Sequence, residues 1–353
     1  MKQAIPDNPR HILLVRLSAI GDIVMASGLP GQLKNRWPNA KITWLCQPEC
    51  ASLLRHHPDV DQVICWQRGE WSKAWSKGNL PALYRLVREF RKDCKACQFD
   101  LVIDLQGLLK SALLASFSGA PHRIGLGRAE GAGFLYKESY ERNLGDTQMI
   151  GSEYRYLANQ LGADKDAYRM QLHPDPAAAE RTAQLVDQAG GQGQYLVFCP
   201  FTTRPQKHWF NSHWRELAGI FEHTYGLPIL VLGGPADIEA ATQLCDGTRL
   251  KNWAGKTNLL QASEIIRHSR GVVGVDTGLT HMGHAARVPT LALFGSTCPY
   301  LNPDNPAGKV VYLDMHCAPC RRKPTCGGRF DCLRDISAEM AAQQFAPLLK
   351  VSR

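Results

Sequence analysis

The sequence predicts an α/β protein with two similar domains, each built around a mainly parallel sheet. Short runs rich in Val, Ile and Leu recur along the chain, and segments with helical periodicity lie between them. This alternation is typical of strand–helix units that form a parallel sheet. The chain has 353 residues, whereas a single domain usually spans about 100–200 residues. We therefore expect two domains.

The first half of the chain contains apolar runs that we interpret as buried strands. They are "HILLVRL" (11–17), "KITWLC" (41–46), "QVICW" (62–66) and "DLVID" (100–104). The segment "LPALYRLVREFRKDC" at 80–94 has the periodicity of a helix. The first half is therefore predicted to be a series of strand–helix units around a parallel sheet.

The same pattern restarts in the second half of the chain. Its apolar runs are "YLVFCP" (195–200), "PILVLGG" (228–234), "GVVGVD" (271–276) and "TLALFG" (290–295). Pro174, Pro176 and a Gly-rich segment mark a linker near residues 173–193. We therefore predict a first domain over 1–175 and a second over 176–336. Parallel sheets bind ligands beyond the carboxyl ends of their strands, so functional residues are expected in the loops that follow the strands.

The composition indicates a folded protein with an anionic partner. Hydrophobic residues make up 44% of the chain and charged residues 21%, and the net charge is +9. A nucleic acid, an acidic membrane surface and a phosphorylated substrate would each satisfy that charge. No apolar run reaches the roughly 18 residues of a membrane-spanning helix, and the N-terminus has no apolar signal region. We therefore expect a cytoplasmic protein.

Asp22 lies just past the first strand, where Gly21 permits a tight turn and a helical pattern begins. Aspartate is favoured near helix N-termini, so one interpretation is an ordinary capping residue. The other interpretation is a general base at the carboxyl edge of the sheet, which takes a proton from a hydroxyl. The local sequence by itself favours the cap.

The segment "GVVGVDTGLTHMGHAA" at 271–286 joins a buried strand directly to a helix. The N-terminus of that helix offers backbone N–H groups and a positive dipole end, which suit a pyrophosphate. The expected amide donors are Thr277, Gly278 and Leu279. Asp276 or Thr277 as a plain cap is equally compatible with the sequence. His281 and His284 fit either the surface or the core of the helix.

The loop "PFTTRPQKHWFNSHW" at 200–214 follows another strand and is rich in polar and basic residues. They are Thr202, Thr203, Arg204, Lys207 and His208. Such a loop can neutralise the charge of a phosphate, but it can also be a solvated basic loop. The sequence alone leaves both interpretations open.

Four cysteines near the C-terminus follow the spacing C-x2-C-x5-C-x5-C. They are Cys317, Cys320, Cys326 and Cys332. Four close thiolates resemble a structural zinc or iron–sulfur site. The spacing is not that of a standard zinc ribbon, and reduced thiols are the alternative in a chain without an export signal.

Taken together, "RLSAIGDIVMA", "DLVIDLQGLLKSA", "TTRPQKHW" and "VDTGLTHMGHAA" resemble the ADP-heptose:lipopolysaccharide heptosyltransferases of glycosyltransferase family 9, most closely heptosyltransferase I. The four motifs occur in the family's order over about residues 11–300. The resemblance implies the GT-B fold, with two Rossmann-like domains that face each other across a cleft. It also implies that a helix within 337–353 returns to the first domain.

The resemblance implies an inverting transfer from ADP-heptose in which Asp22 is the general base, and no cofactor is required for catalysis. The donor site carried over from the family motifs consists of Thr202, Thr203, Lys207, Asp276, Thr277, Gly278 and His281. Lys207 and the amides of Thr277 and Gly278 would stabilise the leaving group. Asp276 would organise the sugar or the loop.

The implied acceptor is the 3-deoxy-octulosonic acid (Kdo) of nascent lipid A, with Lys73 and Lys110 as acceptor-binding residues. This acceptor implies peripheral association with the cytoplasmic face of the inner membrane and no nucleic-acid partner. A heptosyltransferase II, or a transferase with another nucleotide-sugar donor, is the nearest alternative. Alternatives of a different class are a nucleotide-sugar epimerase and a nucleic-acid-binding protein.

Overall fold

The protein forms two compact units in a computed structural model that describes residues 5–142 and 144–351. The first unit takes the chain up to Thr147 together with Gly151–His173. The second takes Gln148–Ile150 and the chain from Pro174 onward. The expected boundary between residues 175 and 176 lies two residues beyond this division. Each unit contains a six-stranded parallel sheet, which confirms the predicted α/β class.

The first unit alternates strands and helices along its length. Its elements are β1 (His11–Val15), α1 (Ile20–Ala26), α2 (Leu29–Arg36), β2 (Lys41–Cys46), α3 (Pro48–Ala51), β3 (Gln62–Cys65), α4 (Arg68–Ser76), α5 (Leu80–Ala96), β4 (Leu101–Asp104), α6 (Leu109–Phe117), β5 (His122–Leu126), β6 (Glu138–Tyr140) and α7 (Ser152–Gln160). A 3-10 helix spans Ala129–Leu135. The strand order is β3-β2-β1-β4-β5-β6.

The second unit repeats this pattern. Its elements are α8 (Ala179–Ala189), β7 (Leu196–Cys199), α9 (Asn211–Tyr225), β8 (Ile229–Val231), α10 (Ile238–Cys245), β9 (Lys251–Asn252), α11 (Leu259–Arg267), β10 (Gly271–Val275), α12 (Gly278–Ala285), β11 (Thr290–Phe294), β12 (Gly308–Tyr312), α13 (Asp331–Arg334) and α14 (Ala338–Phe345). Short 3-10 helices span Pro205–Lys207 and Ala346–Lys350. The strand order is β12-β11-β10-β7-β8-β9.

The apolar runs form strands because helices cover both faces of each sheet, so that whole strands are buried rather than alternate residues. In β1, every residue from Ile12 to Val15 has no exposed surface. Each half also contains two strands that the sequence analysis did not predict: β5 and β6 in the first, and β9 and β12 in the second. No helix in the described part of the chain is long and apolar enough to cross a bilayer.

Both sheets have the strand order of a doubly wound nucleotide-binding fold, in which the chain direction across the sheet reverses between the first and fourth strands. In the first unit this reversal lies between β1 and β4, whose ends pair at Val15 and Asp104. In the second unit it lies between β7 and β10, where Cys199 pairs with Gly274. We call these places the first and second switch points. Ligands bind beside such points in open α/β sheets.

The C-terminal helix does not follow the expectation that it returns to the first domain. Helix α14 belongs to the second unit, where it packs against α9. Phe345 is fully buried there, and its ring stacks on Phe221 with centroids 5.1 Å apart. The apolar face of this helix is therefore buried by the second sheet's own helical layer. Residues 352–353 of the predicted segment lie outside the described residues.

Candidate active site

Each switch point carries an aspartate in the loop or helix that follows one of its central strands. Asp22 follows β1 at the first switch point, and Asp276 follows β10 at the second. The two side chains differ in exposure: Asp22 is 33% exposed and Asp276 is 14% exposed. Their hydrogen-bond partners differ as well.

Asp22 is the third residue of α1, and it caps that helix with only one of its carboxylate oxygens. Oδ2 accepts a hydrogen bond from the backbone N–H of Ala19 (3.1 Å) and forms an ion pair with Arg16. In the part of the chain that the structure describes, Oδ1 has no hydrogen-bond partner. The capping interpretation is therefore correct for Oδ2, while Oδ1 stays available as an acceptor.

Arg16 is a buried cation that fixes the orientation of the Asp22 carboxylate. Its Nη2 contacts Asp22, and its Nη1 donates to the carbonyl of Leu105 just after β4 (2.9 Å). Burial disfavours the charged form, but nearby Tyr154 and Asp22 outweigh it and raise the pKa of Arg16 above its ordinary value. The arginine thus joins the ends of β1 and β4 and keeps its charge.

A buried acid, Asp104, holds the end of β4, and its side chain is not exposed to solvent. Asp104 accepts hydrogen bonds from the backbone N–H groups of Gln106 (2.8 Å) and Gly107 (3.2 Å), and from the hydroxyl of Tyr136 (2.6 Å). Burial raises the pKa of its carboxyl despite these bonds. Gly107 has φ +63°, and a Cβ there would lie 2.1 Å from the carbonyl oxygen of Leu126. This turn therefore requires glycine.

The two predicted acceptor residues occupy different surroundings. Lys110 is in the first turn of α6, at the first switch point, and burial together with the nearby cations Arg68 and Arg16 lowers the pKa of its ammonium. Lys73 lies on an exposed face of α4. Among the described residues, no contact joins the Lys73 side chain to Asp22 or Lys110. Only Lys110 therefore belongs to the first switch point.

At the second switch point, Asp276 has partners on both oxygens. Oδ2 contacts the Lys207 ammonium (2.5 Å) and accepts from the hydroxyl of Thr297 (2.6 Å), and Oδ1 lies 3.3 Å from Nε2 of His281. Burial by itself favours the protonated acid. The hydrogen bond and charge of His281 and the charge of Lys207 outweigh burial and hold the pKa of Asp276 below its ordinary value. This carboxylate is an organising anion.

His281 connects Asp276 to a buried tyrosine, Tyr300. Its Nδ1 lies 2.7 Å from the hydroxyl of Tyr300, while Nε2 faces Asp276. Because a carboxylate only accepts, Nε2 must carry a proton. His284, one turn further along α12, is buried with no hydrogen-bond partner on either ring nitrogen among the described residues, and burial lowers its pKa to about 3. Both histidines therefore belong to the core.

The remaining predicted donor residues lie in the loop after β7 and at the start of α12. Thr202 and Thr203 lie in the loop between β7 and Lys207, and the carbonyl of Thr202 contacts Nε2 of His208 (2.8 Å). Thr277 precedes α12 without capping it through its side chain, and Gly278 is the first helical residue. The structure therefore brings Lys207, Asp276 and His281 into direct contact, with the N-terminal amides of α12 beside them.

The metal site predicted at Cys317, Cys320, Cys326 and Cys332 stays a prediction. Within the described residues, no group of three or more His, Cys, Asp or Glu side chains is arranged to hold a metal ion. Cys332 is buried, which raises the pKa of its thiol to about 11, whereas the Sγ of Cys326 accepts from the backbone N–H of Phe330 (3.4 Å). Cys317 and Cys320 remain partly exposed.

The same segment supports the second switch point through its backbone. The N–H of Arg321 donates to the carbonyl of Ser296 (2.6 Å), next to Thr297, and the carbonyl of Arg321 accepts from Nε2 of Gln206 (3.0 Å). Gln206 is the neighbour of Lys207 in the chain. One residue of the cysteine segment thus connects the loops that hold Lys207 and Thr297.

The chain is similar to known proteins along most of its length. A model of glycosyltransferase family 9 (heptosyltransferase) matches residues 87–329. Lipopolysaccharide heptosyltransferase 1 of Pseudomonas aeruginosa is 32% identical over 319 residues, covering 90% of this chain and 87% of that protein. Lipooligosaccharide heptosyltransferase 2 of Haemophilus influenzae is 28% identical over 356 residues, covering 96% and 99%. The solved structure of Escherichia coli heptosyltransferase WaaC with ADP-2-deoxy-2-fluoro heptose has a similar fold, with a TM-score of 0.71 and 26% sequence identity. The match covers 96% of this chain and 99% of that chain. This similarity confirms the predicted GT-B class.

Proposed function

Since the chain belongs to glycosyltransferase family 9, the heptosyltransferases, we propose that it transfers heptose from ADP-heptose to the inner core of lipopolysaccharide with Asp22 as the general base. The observation that supports the base assignment is that the two carboxylate oxygens of Asp22 have different surroundings. Oδ2 is bound by Ala19 and Arg16, and Oδ1 is left for a substrate. This family is one of glycosyltransferases, so an epimerase or a nucleic-acid-binding module is no longer the better explanation.

The proposed reaction is a single inverting displacement. The acceptor hydroxyl gives its proton to Oδ1 of Asp22, and its oxygen forms a bond to the anomeric carbon of the heptose. The bond between that carbon and the oxygen of the diphosphate breaks, and ADP leaves from the opposite face. Only one carboxylate is needed. Arg16 contributes by keeping Oδ2 occupied, so that the proton acceptor has one orientation before the acceptor sugar arrives.

The second switch point supplies the donor site. The Lys207 ammonium and the N-terminal amides of α12, at Thr277 and Gly278, are preorganised to stabilise charge on the departing diphosphate. Asp276 holds Lys207 through an ion pair of 2.5 Å, and so it acts on the donor by positioning. Thr202 and Thr203 are assigned to the edge of the same loop. His281 contributes through Asp276, because both of its ring nitrogens already have partners.

The acceptor we propose is Kdo on lipid A, as for heptosyltransferase I. Lys110 at the first switch point is a cation near Arg16, the partner of Asp22, and such a residue suits the carboxylate of Kdo. Lys73 is proposed as a second anion contact from the exposed face of α4. A heptosyltransferase 1 and a heptosyltransferase 2 are comparably similar to this chain, at 32% and 28% identity. The heptose-extended core is therefore the alternative acceptor. A lipid-anchored acceptor implies work at the cytoplasmic face of the inner membrane.

The test is a transfer assay with the wild-type protein, Asp22→Asn, and Glu49→Gln as a control for loss of an exposed acid. Each is incubated with ADP-heptose and either Kdo-bearing lipid A or the heptose-extended core, and the product is weighed by mass spectrometry. We expect wild type and Glu49→Gln to add one heptose to Kdo-bearing lipid A. Asp22→Asn should lower kcat by about 10²–10⁴-fold, the usual contribution of a general base, without weakening ADP-heptose binding.

The outcomes separate the parts of the proposal. If product forms only from the heptose-extended core, the proposed Kdo acceptor is wrong and the acceptor is that of heptosyltransferase II. Comparable turnover by Asp22→Asn and wild type would contradict the base assignment. Failure of the wild-type protein to bind ADP-heptose would contradict the donor.

A further inference from the structure

Three large apolar side chains stand exposed at one end of the hairpin formed by α4 and α5. Trp75 is 70% exposed, Leu80 63% and Tyr84 69%, and only Phe134 is more exposed among the described large apolar residues. We call Trp75, Leu80 and Tyr84 the hairpin-end patch. Exposed apolar residues that cluster in this way mark interaction surfaces.

The hairpin does not need these side chains for its own packing. Its inner face is anchored by Ala74, Phe90 and Cys94, which are buried, and by Trp71, whose ring packs edge-on to Phe90 with centroids 5.8 Å apart. The outward residues are therefore free of the core.

The turn between the helices gathers the patch at one end. The N–H of Gly78 donates to the carbonyl of Trp75 (2.9 Å), and Asn79 caps α5 by accepting from the N–H of Ala82 (3.1 Å). The last turn of α4 and the first turn of α5 are thus joined by a tight connection. Leu80 and Tyr84 are four residues apart on α5 and so share a face.

The surroundings of the patch are strongly basic. Residues 68–95 contain eight Lys and Arg against three Asp and Glu. Lys77, Arg85 and Arg88 are exposed in or next to the patch. Among the described residues, none of these three has a carboxylate within ion-pair distance. Such cations are attracted to the surface of an anionic membrane.

We propose that the hairpin-end patch docks the protein on an anionic lipid bilayer, with the three apolar side chains in the interface and the surrounding cations on the lipid headgroups. Trp and Tyr prefer the interface between membrane and water, and a neighbouring Leu adds apolar area that inserts toward the acyl chains. Single-stranded nucleic acid would instead favour aromatic platforms along a basic groove, and Leu80 offers no stacking surface. The inference rests on the proposed function only for the presence of a lipid-anchored acceptor.

The test is co-sedimentation of the full-length protein with vesicles, which needs no transfer activity. Vesicles of equal parts phosphatidylglycerol and phosphatidylcholine are compared with vesicles of phosphatidylcholine alone. We expect binding to the anionic vesicles only, weakened by salt. The combined variant Trp75→Ser, Leu80→Ser and Tyr84→Ser should lose at least about tenfold in affinity, because it removes most of the inserted apolar area. Arg85→Glu with Arg88→Glu should lose a similar factor.

Matched controls keep the result specific. Phe134→Ser removes an equally exposed ring elsewhere, and Arg181→Glu with Lys256→Glu makes the same change in net charge on the second unit; both should bind like wild type. Each variant is first checked for wild-type thermal unfolding and ADP-heptose binding. Wild-type vesicle binding by the patch variants would overturn the proposal, as would binding of a single-stranded oligonucleotide in place of vesicles. A protein that binds vesicles but transfers no heptose would contradict the proposed function and not this inference.

Discussion

The two switch points have the same topology and hold their aspartates in opposite ways. At the first, Asp22 is 33% exposed and has one oxygen without a partner among the described residues. At the second, Asp276 is 14% exposed and contacts Lys207, Thr297 and His281. Position after a central strand therefore does not decide what an acid does. The partners of its oxygens do. Asp22 keeps one oxygen without a partner among the described residues, whereas His281 and Lys207 lower the pKa of Asp276 and make it a poor proton acceptor that positions other groups.

The difference also explains where positive charge is placed. Arg16 is buried on the inner side of Asp22 and also binds a backbone carbonyl, so that it cannot move away. Lys207 is a flexible ammonium that shares Asp276 with a threonine and a histidine. A fixed cation suits an acid that must keep one orientation, and an ammonium on a flexible stem suits a site where a diphosphate arrives and departs.

The largest effect expected from this comparison comes from Asp276→Asn. The substitution leaves Lys207 beside a neutral amide in a poorly solvated place, which should cost about 3–5 kcal/mol of unfolding free energy. Asp22→Asn should cost less, about 1–2 kcal/mol, because Arg16 keeps its hydrogen bond to the carbonyl of Leu105 and Asp22 is the more exposed of the two acids. Chemical denaturation measures both variants against wild type.

ADP-heptose affinity separates the same two variants in the same direction. It should fall at least about tenfold in Asp276→Asn and stay unchanged in Asp22→Asn. Equal losses of stability and affinity in the two variants would break the distinction between an organising acid and a reacting one.

A smaller effect should come from His284, which lies behind the second switch point. Burial lowers its pKa to about 3, whereas the unfolded chain protonates it below its ordinary value of about 6.5. The unfolded state therefore binds the extra proton between these values, and stability falls as the pH falls through this window, by up to about 1.4 kcal/mol per pH unit. His284→Met removes this contribution. The unfolding free energy of the wild type minus that of the variant should therefore fall as the pH falls from about 6.5 to 5; a pH-independent difference would contradict this expectation.

The smallest effect should come from Thr297→Val, which removes one hydrogen bond to Asp276 and keeps the shape of the side chain. A hydrogen bond to a charged group contributes about 1.5 kcal/mol or slightly more, so we expect a loss of that size in stability and a several-fold weaker affinity for ADP-heptose. Thr297→Ser should restore both, since it keeps the hydroxyl. Titration calorimetry of the three proteins measures the affinity, and a failure of serine to rescue would show that the methyl group matters instead.

The sequence predicted the positions of the functional loops because buried parallel strands have uninterrupted apolar sequences. Asp22 and Asp276 were found for that reason, each at the end of such a run. The strands β5, β6, β9 and β12 escaped because they are short or carry polar and partly exposed residues. The order of strands, and with it the switch points, depends on pairing between distant segments and has no local signal.

The partners of the acids were missed for the same reason. Thr297 and Tyr300 follow β11, and they reach Asp276 and His281 only through the folded arrangement of the loops. Arg16 had a usable signal, since a charged residue inside an apolar run requires an acid or carbonyl nearby. The cysteine spacing predicts a metal site that stays a prediction, and the spacing alone did not show that Cys332 would be buried. Amphipathic patterning of the C-terminal helix could not tell which unit would bury Phe345.

The hydrogen bond between Gln206 and Arg321 affects which of the two switch points can form first while the chain is synthesised on the ribosome. Its partners are 115 residues apart, so the loop that carries Lys207 receives its support only when nearly the whole chain has emerged. The first switch point is assembled much earlier, because Arg16 finds its carbonyl partner only 89 residues later. Chains released early would therefore have the Arg16 and Asp22 pair in place and a Lys207 loop without its support. If the proposed function holds, a truncated product of this kind would hold no activated sugar to transfer.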